Sequence, residues 1–137
     1  MTSLFLDTSY LIAVEVADDQ NHKAAFEHWR KSLRSSSSPL LVTSSYIFTE
    51  VLTLLNSCGY HTKAVELGKN LLSSRSINLV HVDEELFYEG WAYFQKHKDK
   101  RYSLTDCVSF VLMKRLRIEK ALTFDRHFAQ AGFVKLP

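Results

Sequence analysis

Four acids carry the chemistry that this sequence can do: Asp7, Glu50, Asp106 and Asp125. Asp7 and Asp125 each end a short apolar run, Leu4 to Leu6 and Ala121 to Phe124, and each opens a helical pattern. Asp106 falls in the first turn of a helix expected over 103–117, and Glu50 in the first two turns of a helix that follows Leu40 to Val42. Taken singly, each has a plainer explanation. Aspartate is a favoured helix cap, which accounts for Asp7 or Asp125 alone. Ser103 with Asp106 fits a capping box, although Glu or Gln is the usual acid there. Glu50 by itself reads as a carboxylate at the boundary of a helix face. Together they mean more, because a parallel sheet brings the ends of its strands to one edge. Carboxylates crowded into a small volume repel one another and partly protonate unless a cation compensates. A set of oxygen donors without Cys or His at ligand spacing points to Mg2+ or Mn2+ over zinc. His127, two residues after Asp125, reads as a helix surface residue, and His22, His28, His61, His81 and His97 show no ligand spacing.

The elements that must position these acids alternate along the chain. Leu4 to Leu6 is a short apolar run suited to a strand buried on both faces, followed by a helix through Leu11, Ile12 and Val14. Asp18-Asp19 is the expected start of a second helix, with Ala25, Phe26, Trp29 and Leu33 inward, and the serines and proline over 35–39 form a loop. Leu40 to Val42 is a strand, and the hydroxyls of Thr43, Ser44 and Ser45 are placed to cap the helix that Gly59 ends. A helix from His61 to about Leu72, a strand over Ile77 to Val82, and a helix begun by Asp83-Glu84-Glu85 and ended by Lys96, His97 and Lys98 come next. The helix over 103–117 turns Val108, Val111, Leu112 and Leu116 inward, a strand over 121–124 follows it, and Phe133 to Leu136 closes as an edge strand. This order predicts an α/β fold with a mostly parallel sheet and right-handed crossovers.

Bulk properties narrow the class. With 137 residues, 46% of them hydrophobic, the chain fits one domain over 1–137. A formal net charge of +2 does not mark a nucleic-acid binder. Cys58 and Cys107, without partners at ligand spacing, read as small core residues in a reducing cytoplasm. The N-terminal apolar run lacks a basic region and is broken by Asp7, so it is expected to be mature structure. No run approaches the roughly 18 to 20 apolar residues of a membrane span, so a soluble protein is expected.

The segments Phe5-Leu6-Asp7-Thr8-Ser9, Thr49-Glu50-Val51, Ser103-Leu104-Thr105-Asp106-Cys107 and Leu122-Thr123-Phe124-Asp125-Arg126-His127-Phe128 together resemble, in order and over nearly the whole chain, the acidic motifs of PIN domains, including VapC-type toxins. Thr105 stands where many VapC sequences have glycine. The resemblance implies a three-layer α/β/α sandwich, Mg2+ or Mn2+ held by Asp7, Glu50, Asp106 and Asp125, and cleavage of RNA. It also implies a homodimer and a small antitoxin that inserts into the active-site groove. Thr8, Ser9 and Thr123 lie beside the motifs and are candidates for orienting an acid or a phosphate.

Binding RNA requires cations. Lys96, Lys98, Lys100 and Arg101 precede the third motif, with Tyr102 available for stacking, and form either the rim of an RNA groove or the solvated end of a helix. Lys114, Arg115 and Arg117 read as an ordinary helix end, and Phe26, Trp29, Trp91, Tyr93 and Phe94 as core or dimer contacts. Two other functions compete: a PIN ribonuclease of housekeeping use without an antitoxin, and a non-catalytic Mg-binding signalling module on a similar sheet. The second needs an acid pair at the first strand and a lysine after a late strand. Here Asp7 stands alone, and the late strand ends Thr123-Phe124-Asp125.

Overall fold

The computed structural model describes residues 2–34 and 39–137, apart from the side chains of 33 and 34. The expected loop over 35–38 and the inward placement of Leu33 lie outside the described residues. The chain runs β1 (Ser3–Leu6), α1 (Thr8–Glu15), α2 (His22–Arg34), β2 (Leu40–Ser44), α3 (Ser45–Ser57), α4 (His61–Ser73), β3 (Ile77–Val80), α5 (Glu84–Lys96), α6 (Leu104–Arg115), β4 (Lys120–Leu122), α7 (Arg126–Gln130) and β5 (Val134–Leu136).

The five strands form one sheet in the order β3-β2-β1-β4-β5, and every pairing is parallel. Right-handed crossovers then dictate the layers. Stepping from β1 to β2 to β3 puts α1 to α4 on one face, where α1 touches α2 and α3, and α3 touches α4. Stepping back to β4 and on to β5 puts α5, α6 and α7 on the other face, where α6 touches both α5 and α7. This is the expected α/β/α sandwich. The chain leaves β1 toward one layer and β4 toward the other, so a crevice opens between their carboxyl ends.

Burial follows from position in the sheet. The central β1 buries Leu4, Phe5 and Leu6, β2 buries Leu41 through Ser44, and the edge strands β3 and β5 bury nothing fully. Ser44 caps α3 by accepting from the Ile47 N–H. Gly59 ends that helix at φ +84, with the Tyr60 N–H bonded to the Leu55 carbonyl at 2.9 Å and the Gly59 N–H to that of Asn56 at 3.1 Å, a paired closure that requires the left-handed region. Asp83 caps α5 through the Leu86 N–H.

Gly90 on α5 faces α6. A Cβ there would stand 2.5 Å from Val108 Cγ2 and 3.2 Å from Val108 Cα, so the two helices lie closer than any side chain at position 90 permits. On its own layer α6 is enclosed, burying Asp106, Cys107, Val108, Ser109, Phe110, Leu112 and Met113, which is a wider buried surface than the amphipathic pattern predicts.

Several expectations fail for local reasons. The second helix starts at His22 and not at Asp18-Asp19, because Asp19 Oδ1 takes the Asn21 N–H at 2.8 Å and turns the chain first. Phe26 is exposed and packs beside His22, while Ala25 takes the inward position. Leu116 caps α6 and is exposed, since Arg117, at φ 57, turns the chain away toward β4. Cys58 is exposed at the end of α3, whereas Cys107 is buried as expected. Trp91 and Phe94 are exposed and do not belong to the core, while Trp29 and Tyr93 pack against it. Among the described residues no helix is long and apolar enough to cross a membrane.

Candidate active site

The crevice beyond β1 and β4 is a cavity of about 580 Å³ lined by all four expected acids, Asp7, Glu50, Asp106 and Asp125. Thr8, Ser9, Arg101, Ser103 and His127 share the lining, as do Asp19, Gln20 and Asn21 from the turn between α1 and α2.

Asp7 is the deepest of the four, 5% exposed at the end of the central strand. Its N–H continues the β1–β4 ladder to the Leu122 carbonyl, and its Oδ2 collects three donors: Thr123 Oγ1 at 2.7 Å, Ser9 Oγ at 2.7 Å and, as the cap of α1, the Ser9 N–H at 3.4 Å. Each hydroxyl has one proton to give. With that proton committed to Asp7, Thr123 Oγ1 accepts the Asp125 N–H at 3.0 Å and Ser9 Oγ accepts the Phe124 N–H at 2.9 Å. Asp7 is thereby tied to both strand ends, and its Oδ1 has no hydrogen-bond partner among the described residues. Burial is the largest influence on the acid; it outweighs the two hydroxyls and, with the charges of Asp106 and Asp125, raises its pKa from 3.8 to about 6.

Asp106 is held differently. Ser103 and Asp106 form the capping box of α6, the Asp106 N–H donating to Ser103 Oγ at 2.9 Å and the Ser103 N–H to Asp106 Oδ2 at 3.1 Å. The plain explanation from sequence is therefore correct for this residue, and it coexists with a place in the cavity. Burial pushes the Asp106 carboxyl above the usual range, the Ser103 N–H opposes it, and the Asp125 charge adds to it. Asp125 caps α7, taking the His127 N–H on Oδ1 at 2.9 Å.

His127 corrects the sequence reading. It is not a free surface residue: Nδ1 lies 3.4 Å from Asp106 Oδ2 and 3.3 Å from Asp125 Oδ1, is buried, and has hydrogen-bond geometry to neither. Asp106, Asp125 and His127 each offer a ligand atom within 4.8 Å of the others, a donor set that fits a divalent cation. Asp7 and Glu50 line the same cavity outside that tight group. A sequence signal for His127 did exist, because a side chain two residues after a capping aspartate is carried back toward the cap by the first helical turn.

The weaker candidates separate. Thr123 is fully buried and does not line the cavity, so its part is to hold Asp7. Ser9 does both. Thr8 is 6% exposed, and its Oγ1 is buried without a partner. Of the basic run only Arg101 lines the cavity, at φ 58, a left-handed conformation unusual for a residue with a side chain. Lys98 lines an adjoining recess with Arg101, and Lys100 stands 3.9 Å from Asp99. Tyr102 is not available for stacking on a base, because it is buried edge-on to Phe110 and His127.

Comparison with known proteins follows the same geometry. The PIN domain model matches residues 4–134. The 23S rRNA-specific endonuclease VapC20 of Mycobacterium tuberculosis is 34% identical over 134 residues, 97% of each chain. The crystal structure of that sarcin-ricin loop cleaving toxin aligns with a TM-score of 0.85 at 32% identity, covering 96% of both chains. A toxin-antitoxin complex from Klebsiella pneumoniae aligns at TM-score 0.60 and 17% identity, over 90% of this chain and 87% of that one, and supports the fold alone. With the model match running from β1 to β5, and a relative this similar from end to end, the chain belongs to the PIN-domain family.

Proposed function

We propose that the chain, as one nuclease domain over 1–137, is a metal-dependent endoribonuclease that hydrolyses RNA phosphodiester bonds. In this reading it is the toxin of a toxin-antitoxin pair and acts in the cytoplasm. One observation carries the proposal: acids from separate motifs meet in a cavity at the sheet's switch point, in a chain 34% identical over 97% of its length to a 23S rRNA-specific endonuclease. The alternative of a housekeeping PIN nuclease finds less support, since the relative and its solved structure are toxins. The signalling-module alternative finds none.

Asp7, Glu50, Asp106 and Asp125, which line the cavity together, would hold a divalent cation, Mg2+ or Mn2+. Such a cation lowers the pKa of a bound water and stabilises charge on the phosphoryl oxygens. The chain's own residues prepare the site. Ser9 and Thr123 occupy Asp7 Oδ2 and leave Oδ1 as the atom to bind with. The capping box fixes the Asp106 carboxylate at the start of α6. Arg101 is the cavity's one Lys or Arg among the described residues and serves as its phosphate contact. Thr8 also lines the cavity, with its Oγ1 buried and without a hydrogen-bond partner among the described residues.

The test is cleavage of labelled RNAs, 23S rRNA first, with Mg2+ or Mn2+, with chelator, and with Asp106→Asn, which keeps an oxygen for the capping box. Cutting should need the metal and fall on the order of a hundredfold or more in the variant, in keeping with a metal contribution of several kcal/mol. Cleavage that persists in chelator or in Asp106→Asn overturns the proposal.

A further inference from the structure

We infer that His127 is itself a ligand of the cation at this site, the single nitrogen in a shell of oxygens, and that it tilts the site toward Mn2+ over Mg2+. This rests on the metal-dependent reading given above.

One atom at this site is left unexplained by the fold. His127 Nδ1 is buried and lacks a hydrogen-bond partner among the described residues, although two carboxylate oxygens stand 3.3 and 3.4 Å away. A buried polar nitrogen without a partner is costly. Two acceptors at that range, with neither in hydrogen-bonding direction, are a poor way to satisfy it. The same spacing suits donors that share an ion: at metal–ligand bonds of about 2.1 Å, adjacent ligands of an octahedral shell stand roughly 3.0 Å apart. The ring is also held in place. The backbone N–H of His127 is bonded to Asp125 Oδ1 at 2.9 Å, which fixes the residue's main chain, and the imidazole itself stands edge-on to Tyr102 at 5.4 Å and 78°. Tyr102 is in turn buried edge-on to Phe110. A ligand fixed by packing loses little freedom on binding.

The choice of metal follows from the donor. Mg2+ takes oxygen ligands and keeps its waters, so it gains little from an imidazole, whereas Mn2+, although it too favours oxygen, gives up a water for a nitrogen donor more readily. Sequence reading, which placed His127 on the surface, left the site as oxygen donors alone, with no reason to rank the two ions.

Mn2+ added to the purified protein tests this without any substrate. Electron spin-echo modulation should show one directly bound nitrogen in the wild-type protein and none in His127→Gln. Mn2+ binding, followed by loss of the free-ion resonance signal, should weaken at least about tenfold in that variant, with a smaller change for competing Mg2+. If Mn2+ binds, and binding is lost in Asp106→Asn, but no nitrogen is seen, the metal site stands and the ligand role of His127 is overturned. The same holds if the nitrogen signal survives in His127→Gln. If the wild-type protein binds no Mn2+, the metal site and the ligand fall together. The wild-type spectrum decides the point even where the variant folds poorly.

Discussion

The two sides of the acidic cavity are built by different means. On one side Asp7 is clamped through hydrogen bonds, by two hydroxyls that each relay a backbone N–H from the β4–α7 segment, and the acid lies under the central strand's burial. On the other side Asp106 is placed by helix packing: its capping box is local, and the position of α6 is set by the close approach of α5 at Gly90. The first side pins an atom and tolerates little change in polarity. The second places a whole helix and tolerates little change in volume. Substitutions should therefore fail in different ways on the two sides.

The largest effect falls on the packed side. Gly90→Ala puts a Cβ against Val108, and Gly90→Val adds two more carbons where there is no space. Overpacking should cost about 3 kcal/mol or more for valine, and about 2 kcal/mol for alanine once its better helix propensity offsets part of the strain. Thermal melts of the three proteins measure this. Because Val108 is two residues from Asp106, Mn2+ affinity should fall along the same series. Stability unchanged in Gly90→Val would show that α5 does not position α6.

The clamped side should respond with opposite signs at neighbouring atoms. A carboxyl whose pKa is raised to about 6 on folding favours the folded state below its ordinary 3.8, and that contribution is lost as pH rises through about 6. In chelator at neutral pH, Asp7→Asn should therefore stabilise the protein by roughly 1 to 2 kcal/mol, below the ceiling of about 3 kcal/mol that the shift implies. It should also flatten the loss of stability between about pH 4 and pH 6. Thr123→Val removes a donor to Asp7 and an acceptor for the Asp125 N–H, and should cost about 1 to 3 kcal/mol. Equal losses in both variants would mean that the charged hydrogen bonds from Ser9 and Thr123 outweigh the burial of the carboxylate, since asparagine caps α1 as well as aspartate does.

This division also explains what could be read in advance. The strand ends and their acids were legible because Leu4 to Leu6, Leu40 to Val42 and Ala121 to Phe124 are short runs bounded by polar residues, a signal local to the chain, although the last of these strands stops at Leu122. The parallel order of elements then brought Asp7, Asp106 and Asp125 together. Ser44 was legible as the cap of α3, but Gly90, the bond from the buried Thr43 to the Leu6 carbonyl and the contact of His127 with Asp106 were not, because they depend on what another segment places beside them. His127 meets Asp106 across a gap between helices, and Gly90 is small only because Val108 is near. Cys58, Phe26 and Leu116 were misjudged for the converse reason: apolar residues were assigned to the core that the ends of α3 and α6 and the outer face of α2 leave in solvent.

The smallest effects belong to the rim, where neither hydrogen bonds nor packing confine the side chains. Arg101 lines the cavity, while Lys98 opens on an adjoining recess and Lys100 faces Asp99. The basic run should therefore not act as a unit. Arg101→Gly removes the guanidinium and at the same time relieves a left-handed backbone, so stability should hold or rise while RNA affinity drops about tenfold, roughly the worth of one charge-assisted contact. Charge reversal of Lys98 and Lys100 together should weaken binding only a few-fold at moderate salt and reduce its salt dependence, since exposed cations act through screened attraction to the backbone. Titrating an inactive Asp106→Asn background with single-stranded RNA at several salt concentrations separates the two. A larger loss from the lysine pair than from Arg101 would move the RNA path from the cavity mouth to the recess beside α5.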